Sequence, residues 1–176
     1  MKTLLRTLIL LLVVLWLGGV MFFPVVAATA FTSLPDTHTA GTIVGQCLRI
    51  LHYEGLFAGM LIVLLLLAAH AAHAFSRSVT APVAVTLLML ALTTVSQFWI
   101  IPRMEGDRIA AGGAIDAVAP TDPNRVAFNQ LHRLSEKVEE GVLVGGIVLV
   151  ALLAFGFAVP ATPLQESGQL VSAARN

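Results

Sequence analysis

Four long stretches of apolar residues, separated by short polar segments, run along most of the chain. They cover about residues 7–31, 39–74, 82–101 and 121–160. Each is long enough to cross the hydrocarbon core of a bilayer as a helix, which takes about 20 residues. The pattern predicts an all-α fold, a polytopic membrane four-helix bundle that forms a single domain over residues 1–160. Residues 161–176 are predicted to be a flexible tail.

Local signals mark the ends of these segments. Thr37 or Thr39 is a candidate N-cap for the second segment, after the turn Leu34-Pro35-Asp36. Pro102 is predicted to end the third segment, because the residue before a proline disfavours the helical conformation. The stretch Thr121-Asp122-Pro123 is typical of a cap followed by a proline in the first turn, and it predicts the start of the fourth segment.

Composition supports a chain embedded in the lipid bilayer. Hydrophobic residues make up 57% of it and charged residues 11%, and the mean hydropathy is +0.90. Soluble domains have a much more polar balance. The single cysteine, Cys47, excludes an intrachain disulfide and a zinc site built on cysteines. The sequence has no basic run, so no nucleic-acid partner is expected.

The distribution of charge predicts an orientation. The second and fourth segments are longer than a bilayer requires, and both have extended, polar starts next to the loops 32–40 and 104–120. Acidic residues outnumber basic ones at this end, which we call the outer polar end. The opposite end carries Lys2, Arg6, Arg77 and Arg175 against one acid. The positive-inside rule then predicts a bacterial inner-membrane protein with both termini in the cytoplasm.

Charged residues at the starts of the second and fourth segments suggest contacts between these segments. The two segments run in the same direction. We treat them as neighbours and align them so that their continuously apolar parts begin at the same depth in the bilayer. Arg49 then faces Glu136, and His52 lies close to Glu139. We expect a structural ion pair between Arg49 and Glu136. Whether the outer polar end is a functional site or a solvated collar fastened by such a pair stays open.

The same region contains candidate metal ligands. Transition metals accept imidazole and carboxylate groups, which makes His52 and Glu139 candidates, with help from His132 or His38. A carboxylate paired with arginine is a poor ligand, so Glu136 is left out. We expect an incomplete, water-accessible site that binds a transition metal weakly.

Haem and enzymatic chemistry have little support in the sequence. A single haem between His52 and His132 is one arrangement that the sequence allows, whereas His70 and His73 lie near the other face without a partner on another segment. The sequence shows no nucleophile with a paired base, no phosphate loop and no charge pair at the membrane midplane. It favours a noncatalytic protein and leaves enzymatic activity open.

Polar and small residues inside the segments predict how the helices pack. Thr93, Ser96 and Gln97 share one sector of the third segment and are predicted to hydrogen-bond across helices. The stretch Gly141-Val142-Leu143-Val144-Gly145 has the GxxxG spacing, which allows close packing within the bundle or homodimerisation. Both possibilities, and a membrane-protein partner, stay open.

Several short motifs follow one another over residues 8–160: Trp16-Leu17-Gly18-Gly19, Leu34-Pro35, His38-Thr39-Ala40-Gly41, Tyr53, Pro102-Arg103, Phe128 and His132-Arg133-Leu134-Ser135. In order and spacing they resemble the transmembrane protein 205-like family, whose bacterial members are mostly domains of unknown function. The resemblance implies a four-helix membrane domain.

The resemblance also carries candidate positions onto this chain, namely His38, Pro102-Arg103 and His132. It makes Arg103 a candidate for a structural ion pair, although the acid that the family pattern places before the proline is Ile101 here. The family is similar in outline to copper-resistance protein D and to haem-binding membrane protoporphyrinogen oxidases. Its eukaryotic members are linked to resistance to platinum drugs.

Three functions are compatible with these observations. The first is metal handling or tolerance by a small noncatalytic membrane protein, through its outer polar end. The second is an accessory or assembly subunit of a membrane complex. The third is a haem-binding membrane oxidoreductase. Metal content separates the first from the second, and a Soret band identifies the third.

Overall fold

Helices account for most of residues 1–75 and 78–157, the part of the chain that the computed structural model describes. They are α1 (Lys2–Ser33), α2 (Thr37–Ala71), α3 (Thr80–Val95), a π-helical turn (Ser96–Ile100), α4 (Ile101–Ala110), a short 3-10 helix (Ile115–Ala117) and α5 (Pro123–Phe157). Within residues 1–75 and 78–157, four helices are long and apolar enough to cross a membrane: α1, α2, α5 and the continuous helix Thr80–Ala110. The predicted all-α four-helix architecture is confirmed.

The packing order sets α2 and α5 on a diagonal of the bundle. Helix α1 packs mainly against α2 and also against α5, and α3 packs against both α2 and α5. The sequence analysis treated the segments that became α2 and α5 as direct neighbours, and this was wrong, because α1 and α3 pack between them. The interior is filled by buried apolar side chains from all four spans, among them Ile9, Val13, Trp16, Ile62, Leu66, Met89, Val142, Leu149 and Leu153.

Two close approaches hold neighbouring helices together. The buried ring of Trp16 in α1 lies on the backbone of α2 at Gly55, where an added Cβ would stand 2.8 Å from Trp16 Cε2. The glycine Gly145 in α5 faces α3, and a Cβ there would stand 2.7 Å from Met89 Cγ. The GxxxG stretch therefore serves packing within the bundle, while homodimerisation stays a prediction.

The third span does not end at Pro102, contrary to the sequence analysis. The helix continues to Ala110, and Pro102 lies in the first turn of α4, directly after the π-helical turn. In an uninterrupted α-helix this proline would lack a hydrogen bond and clash with the carbonyl four residues earlier. The π-helical turn, in which the Ile101 N–H reaches back to the Ser96 carbonyl, widens the helix before the proline and allows it to continue.

The N-cap of helix α2 lies before both expected positions. It is Asp36, not Thr37 or Thr39, and the Thr39 N–H donates to Asp36 Oδ1 over 2.7 Å. A carboxylate accepts this bond more strongly than a hydroxyl does, which explains why the aspartate takes the position. The hydrogen bonds from Thr39 hold the pKa of the Asp36 carboxyl below its ordinary value.

Helix α5 begins as the sequence predicted. Asp122 Oδ1 accepts from the N–H groups of Asn124 at 2.8 Å and Arg125 at 3.3 Å, and Pro123 is the first helical residue. Proline suits this position because its missing N–H would have no helical partner anyway. The predicted tail, residues 161–176, lies outside the described residues, as do Arg77 and Arg175.

Candidate functional site

A histidine and a glutamate meet across the diagonal of the bundle. His52 Nε2 in α2 lies 2.7 Å from Glu139 Oε1 in α5. The His52 side chain is 2% exposed and that of Glu139 is 19% exposed. The alignment of the two segments by depth predicted that these side chains lie close together, and the structure brings them together. They meet in the interior of the bundle and not at a helix-helix seam, because α2 and α5 are diagonal.

The π-helical turn adds two polar side chains to this pair. Gln97 Oε1 lies 3.1 Å from His52 Nδ1, and the Ser96 hydroxyl donates to Glu139 Oε1 over 3.3 Å. Both side chains are buried. Consecutive residues diverge less in angle in a π-helical turn than in an α-helix, so Ser96 and Gln97 can both face the interior. We call His52, Ser96, Gln97 and Glu139 the buried polar centre.

The hydrogen bonds of the buried polar centre depend on where the protons of His52 and Glu139 lie. In the placed orientation of the Gln97 amide its oxygen faces His52 Nδ1, and Nδ1 is then the donor in that bond. The remaining contact joins His52 Nε2 to a carboxylate oxygen, and it needs one proton on either side to be a hydrogen bond. The pair is therefore an imidazolium with a carboxylate, or a neutral imidazole with a carboxylic acid.

The expected ion pair between Arg49 and Glu136 does not form in the described part of the chain. Glu136 Oε1 lies 3.5 Å from His132 Nε2 instead, and both side chains are more than half exposed. Arg49 is exposed on α2 and faces a groove beside the π-helical turn. The diagonal arrangement of α2 and α5 explains the absence, since surface residues of diagonal helices cannot reach each other.

The two other candidate histidines lie apart from the buried polar centre. His132 stacks on Phe128 at the surface of α5, with ring centroids 6.1 Å apart. His38 is exposed in the first turn of α2. Among the described residues, no group of three or more His, Cys, Asp or Glu side chains is arranged to hold a metal ion. The structure thus brings together two of the four candidate ligands.

Arg103, the remaining candidate for an ion pair, contacts an aromatic ring. Its guanidinium lies 4.1 Å from the centre of the Trp99 ring, one helical turn earlier. This is cation–π geometry, and within the described residues Arg103 forms no ion pair. Tryptophan is enriched at the level where the bilayer meets water.

The predicted hydrogen bonds across helices are present for Ser96 and Gln97, although the sequence did not identify Glu139 and His52 as their partners. For Thr93 the prediction was wrong, because its buried hydroxyl has no hydrogen-bond partner in the described part of the chain. The available signal was the polar dipeptide itself, four residues before the end of an otherwise apolar stretch. The partners themselves could not be predicted, because they depend on the order of the helices around the bundle and on a π-helical turn that a regular helical period does not indicate.

Comparison with known proteins gives a family but no described activity. A family model, described as a domain of unknown function (DUF4149), matches residues 11–107. No curated protein matches the chain, and no solved structure does. The resemblance to the transmembrane protein 205-like family and to copper-resistance protein D therefore stays a prediction.

The matched region covers more than half of the chain and contains His52, Ser96 and Gln97. The chain belongs to the DUF4149 family, as a multi-pass membrane protein with four candidate membrane-spanning helices.

Proposed function

We propose that this protein is a noncatalytic protein of the bacterial inner membrane, with both termini in the cytoplasm, that binds a transition metal ion weakly at His52 and Glu139. Its role would be metal handling or tolerance. One observation carries the proposal: the buried His52 directs one ring nitrogen at Glu139 while a neighbouring oxygen holds the other nitrogen.

This arrangement matches what metal-binding histidines need. A ligating histidine usually donates its second N–H to a carbonyl or carboxylate, which fixes the tautomer and the ring orientation. Gln97 does this for His52, so Nε2 is the nitrogen available to a metal. Ser96 orients Glu139 in the same way. In the described part of the chain, no arginine or lysine contacts Glu139.

Two features of the pair make the binding weak. It supplies two protein ligands, whereas zinc sites, for example, use three or four. A metal ion must also displace the proton that His52 and Glu139 share. The other two candidate ligands from the sequence, His38 and His132, lie at the surface of the bundle and are left out of the proposed site. Binding should therefore be weak and should weaken further as the pH falls.

The proposal is tested by titrating metal-free protein in mild detergent with Co²⁺ or Cu²⁺, following the ligand-field absorption. We expect His52→Ala and Glu139→Gln each to weaken binding at least about tenfold, as loss of a ligand should exceed the 10-fold lower bound for its supporting contacts. His132→Ala is the matched control and should bind the metal with the same affinity as the wild type. Lowering the pH by one unit should weaken binding up to about tenfold if one proton is released.

Two results would contradict the proposal. One is equal metal affinity in the wild type and in both His52→Ala and Glu139→Gln. The other is loss of binding in the His132→Ala control, which would move the site to the surface. In the first case the buried polar centre would serve to fasten helices, as in an accessory or assembly subunit.

The haem-dependent alternative has less support from the geometry. Both ring nitrogens of His52 already have partners, and an axial bond to iron would break the contact with Glu139. The same titration, repeated with haemin, should give no Soret band that depends on His52.

A further inference from the structure

An open groove runs along the bundle where α2 meets the π-helical turn and α4. It has a volume of about 340 Å³. Arg49 and Tyr53 of α2 form one side, Phe98 and Pro102 form the other, and Gln97 also lines it. The groove thus combines a cation, two polar groups and an apolar wall. It lies beside the buried polar centre, which shares Gln97 with it, but it is not part of that centre.

The net charge left in the groove is positive. Arg49 forms no hydrogen bond and no ion pair with any residue in the described part of the chain. Glu105, the acid that lines the groove, is bound by Arg108, whose Nη2 donates to both carboxylate oxygens at 2.8 and 2.9 Å. Arg108 Nη1 also donates to Thr42 Oγ1 at 2.9 Å, which ties α4 to α2 above the groove. The guanidinium of Arg49 therefore lacks a counter-charge of its own.

The groove lies at the level where apolar and polar sequence meet. The continuously apolar part of α2 begins at Leu56, shortly after Tyr53, and the mostly apolar sequence of the third span ends at Ile101, directly before Pro102. Tyr53 and Phe98 pack edge to face with centroids 6.4 Å apart. Aromatic side chains gather at the headgroup level of a bilayer. Lipid phosphates lie at this same level.

An exposed apolar track continues from the groove along α2. At 100° per residue Tyr53, Phe57, Met60 and Leu64 share one face of the helix. Their exposed fractions are 56%, 62%, 54% and 62%. An acyl chain whose headgroup sits in the groove could follow this face into the membrane. A free anion has no acyl chain to bind along this face, so the apolar track favours a lipid over a soluble anion.

We propose that this groove binds the headgroup of an anionic phospholipid, with the phosphate on Arg49 and one acyl chain along the Phe57 face of α2. Charge complementarity carries the proposal, because an unpaired guanidinium faces a groove at headgroup depth. Tyr53 and the Gln97 amide supply further polar contacts. The proposal does not depend on metal binding at His52.

The test uses delipidated full-length protein in detergent, with native mass spectrometry and thermal unfolding as readouts. Phosphatidylglycerol should bind in preference to phosphatidylcholine and raise Tm. We expect Arg49→Gln to weaken phosphatidylglycerol binding at least about fivefold, which is the effect of one basic residue at a membrane surface. Arg49→Lys should retain the preference, since it retains the charge. Arg133→Gln, an exposed arginine of α5 outside the groove, is the control and should bind as the wild type does.

Three results would overturn the proposal. Equal stabilisation by the two lipids would show that the groove does not select charge. An equal loss in Arg49→Gln and Arg133→Gln would show a diffuse surface effect. Stabilisation by inorganic phosphate as strong as by phosphatidylglycerol would assign the groove to a soluble anion. If Arg49→Gln fails to fold, the Arg49→Lys variant with both lipids decides the question.

Discussion

The side chain of His52 has a partner on each ring nitrogen, and both partners come from other helices. A buried polar atom without a hydrogen bond is unfavourable in an apolar interior. Removing one member of the pair therefore leaves the other in a poor environment. In membranes the measured effect is modest, because the unfolded state in lipid also finds partners.

A double-mutant cycle on His52→Ala and Glu139→Ala should give a coupling free energy of about 1–2 kcal/mol, near the upper end for polar pairs in membrane proteins. The matched cycle uses His132 and Glu136, which lie 3.5 Å apart but exposed on one helix. That pair should couple by no more than about 0.5 kcal/mol. Reversible unfolding of metal-free protein in bicelles measures both. Equal couplings would show that burial does not strengthen the His52–Glu139 contact.

Helices α1 and α2 approach closely because a glycine of α2 leaves room for a ring of α1. Trp16 is 2% exposed and cannot move aside, since buried neighbours surround it. The π-helical turn plays a comparable part in the third span, where it accommodates Pro102 and directs Ser96 and Gln97 inward. Single positions thus decide how whole helices pack.

Gly55→Ala should destabilise the bundle by about 1–3 kcal/mol, the usual effect of overpacking. The added Cβ would stand 2.8 Å from Trp16 Cε2, and the buried ring has no open space to enter. Gly45→Ala in the same helix is the control, because nothing lies within 4 Å of its added Cβ. It should be neutral or stabilise by up to about 1 kcal/mol through helix propensity. Equal effects of the two substitutions in thermal unfolding would argue against the Trp16 contact.

The four spans place the α1 start and the loop between α2 and α3 at one end of the molecule. Arg6 Nε donates to the Ala74 carbonyl at 2.6 Å across this end. The 3-10 helix with Asp116 lies at the other end. Because cytoplasmic ends collect lysine and arginine, we expect the Arg6 end in the cytoplasm.

Cysteine labelling tests this orientation in a Cys47→Ser background. Asp116→Cys, at a position where the side chain is 59% exposed, should react with a membrane-impermeant maleimide in spheroplasts. The exposed Ser78→Cys is the control and should react only after permeabilisation. A reversed pattern, or a C-terminal reporter active only in the periplasm, would contradict the predicted topology.

Much of the architecture follows from local properties of the chain. The length of each apolar stretch determines that it forms a spanning helix, because a backbone without water must bond within itself. Helical rise and period are also local, so the levels of His52 and Glu139 along their helices could be compared before any fold was known. The cap at Asp122 is likewise a short-range feature.

The lateral order of the helices was decided only by tertiary packing. Contacts such as Trp16 on Gly55 and Met89 on Gly145 place α1 and α3 between α2 and α5. That order moved His52 and Glu139 into the interior and separated Arg49 from Glu136. Ser96 and Gln97 joined the pair through a π-helical turn, which no regular period predicts. Position along the membrane normal follows from sequence length and polarity, whereas position around the bundle depends on the sum of many side-chain contacts.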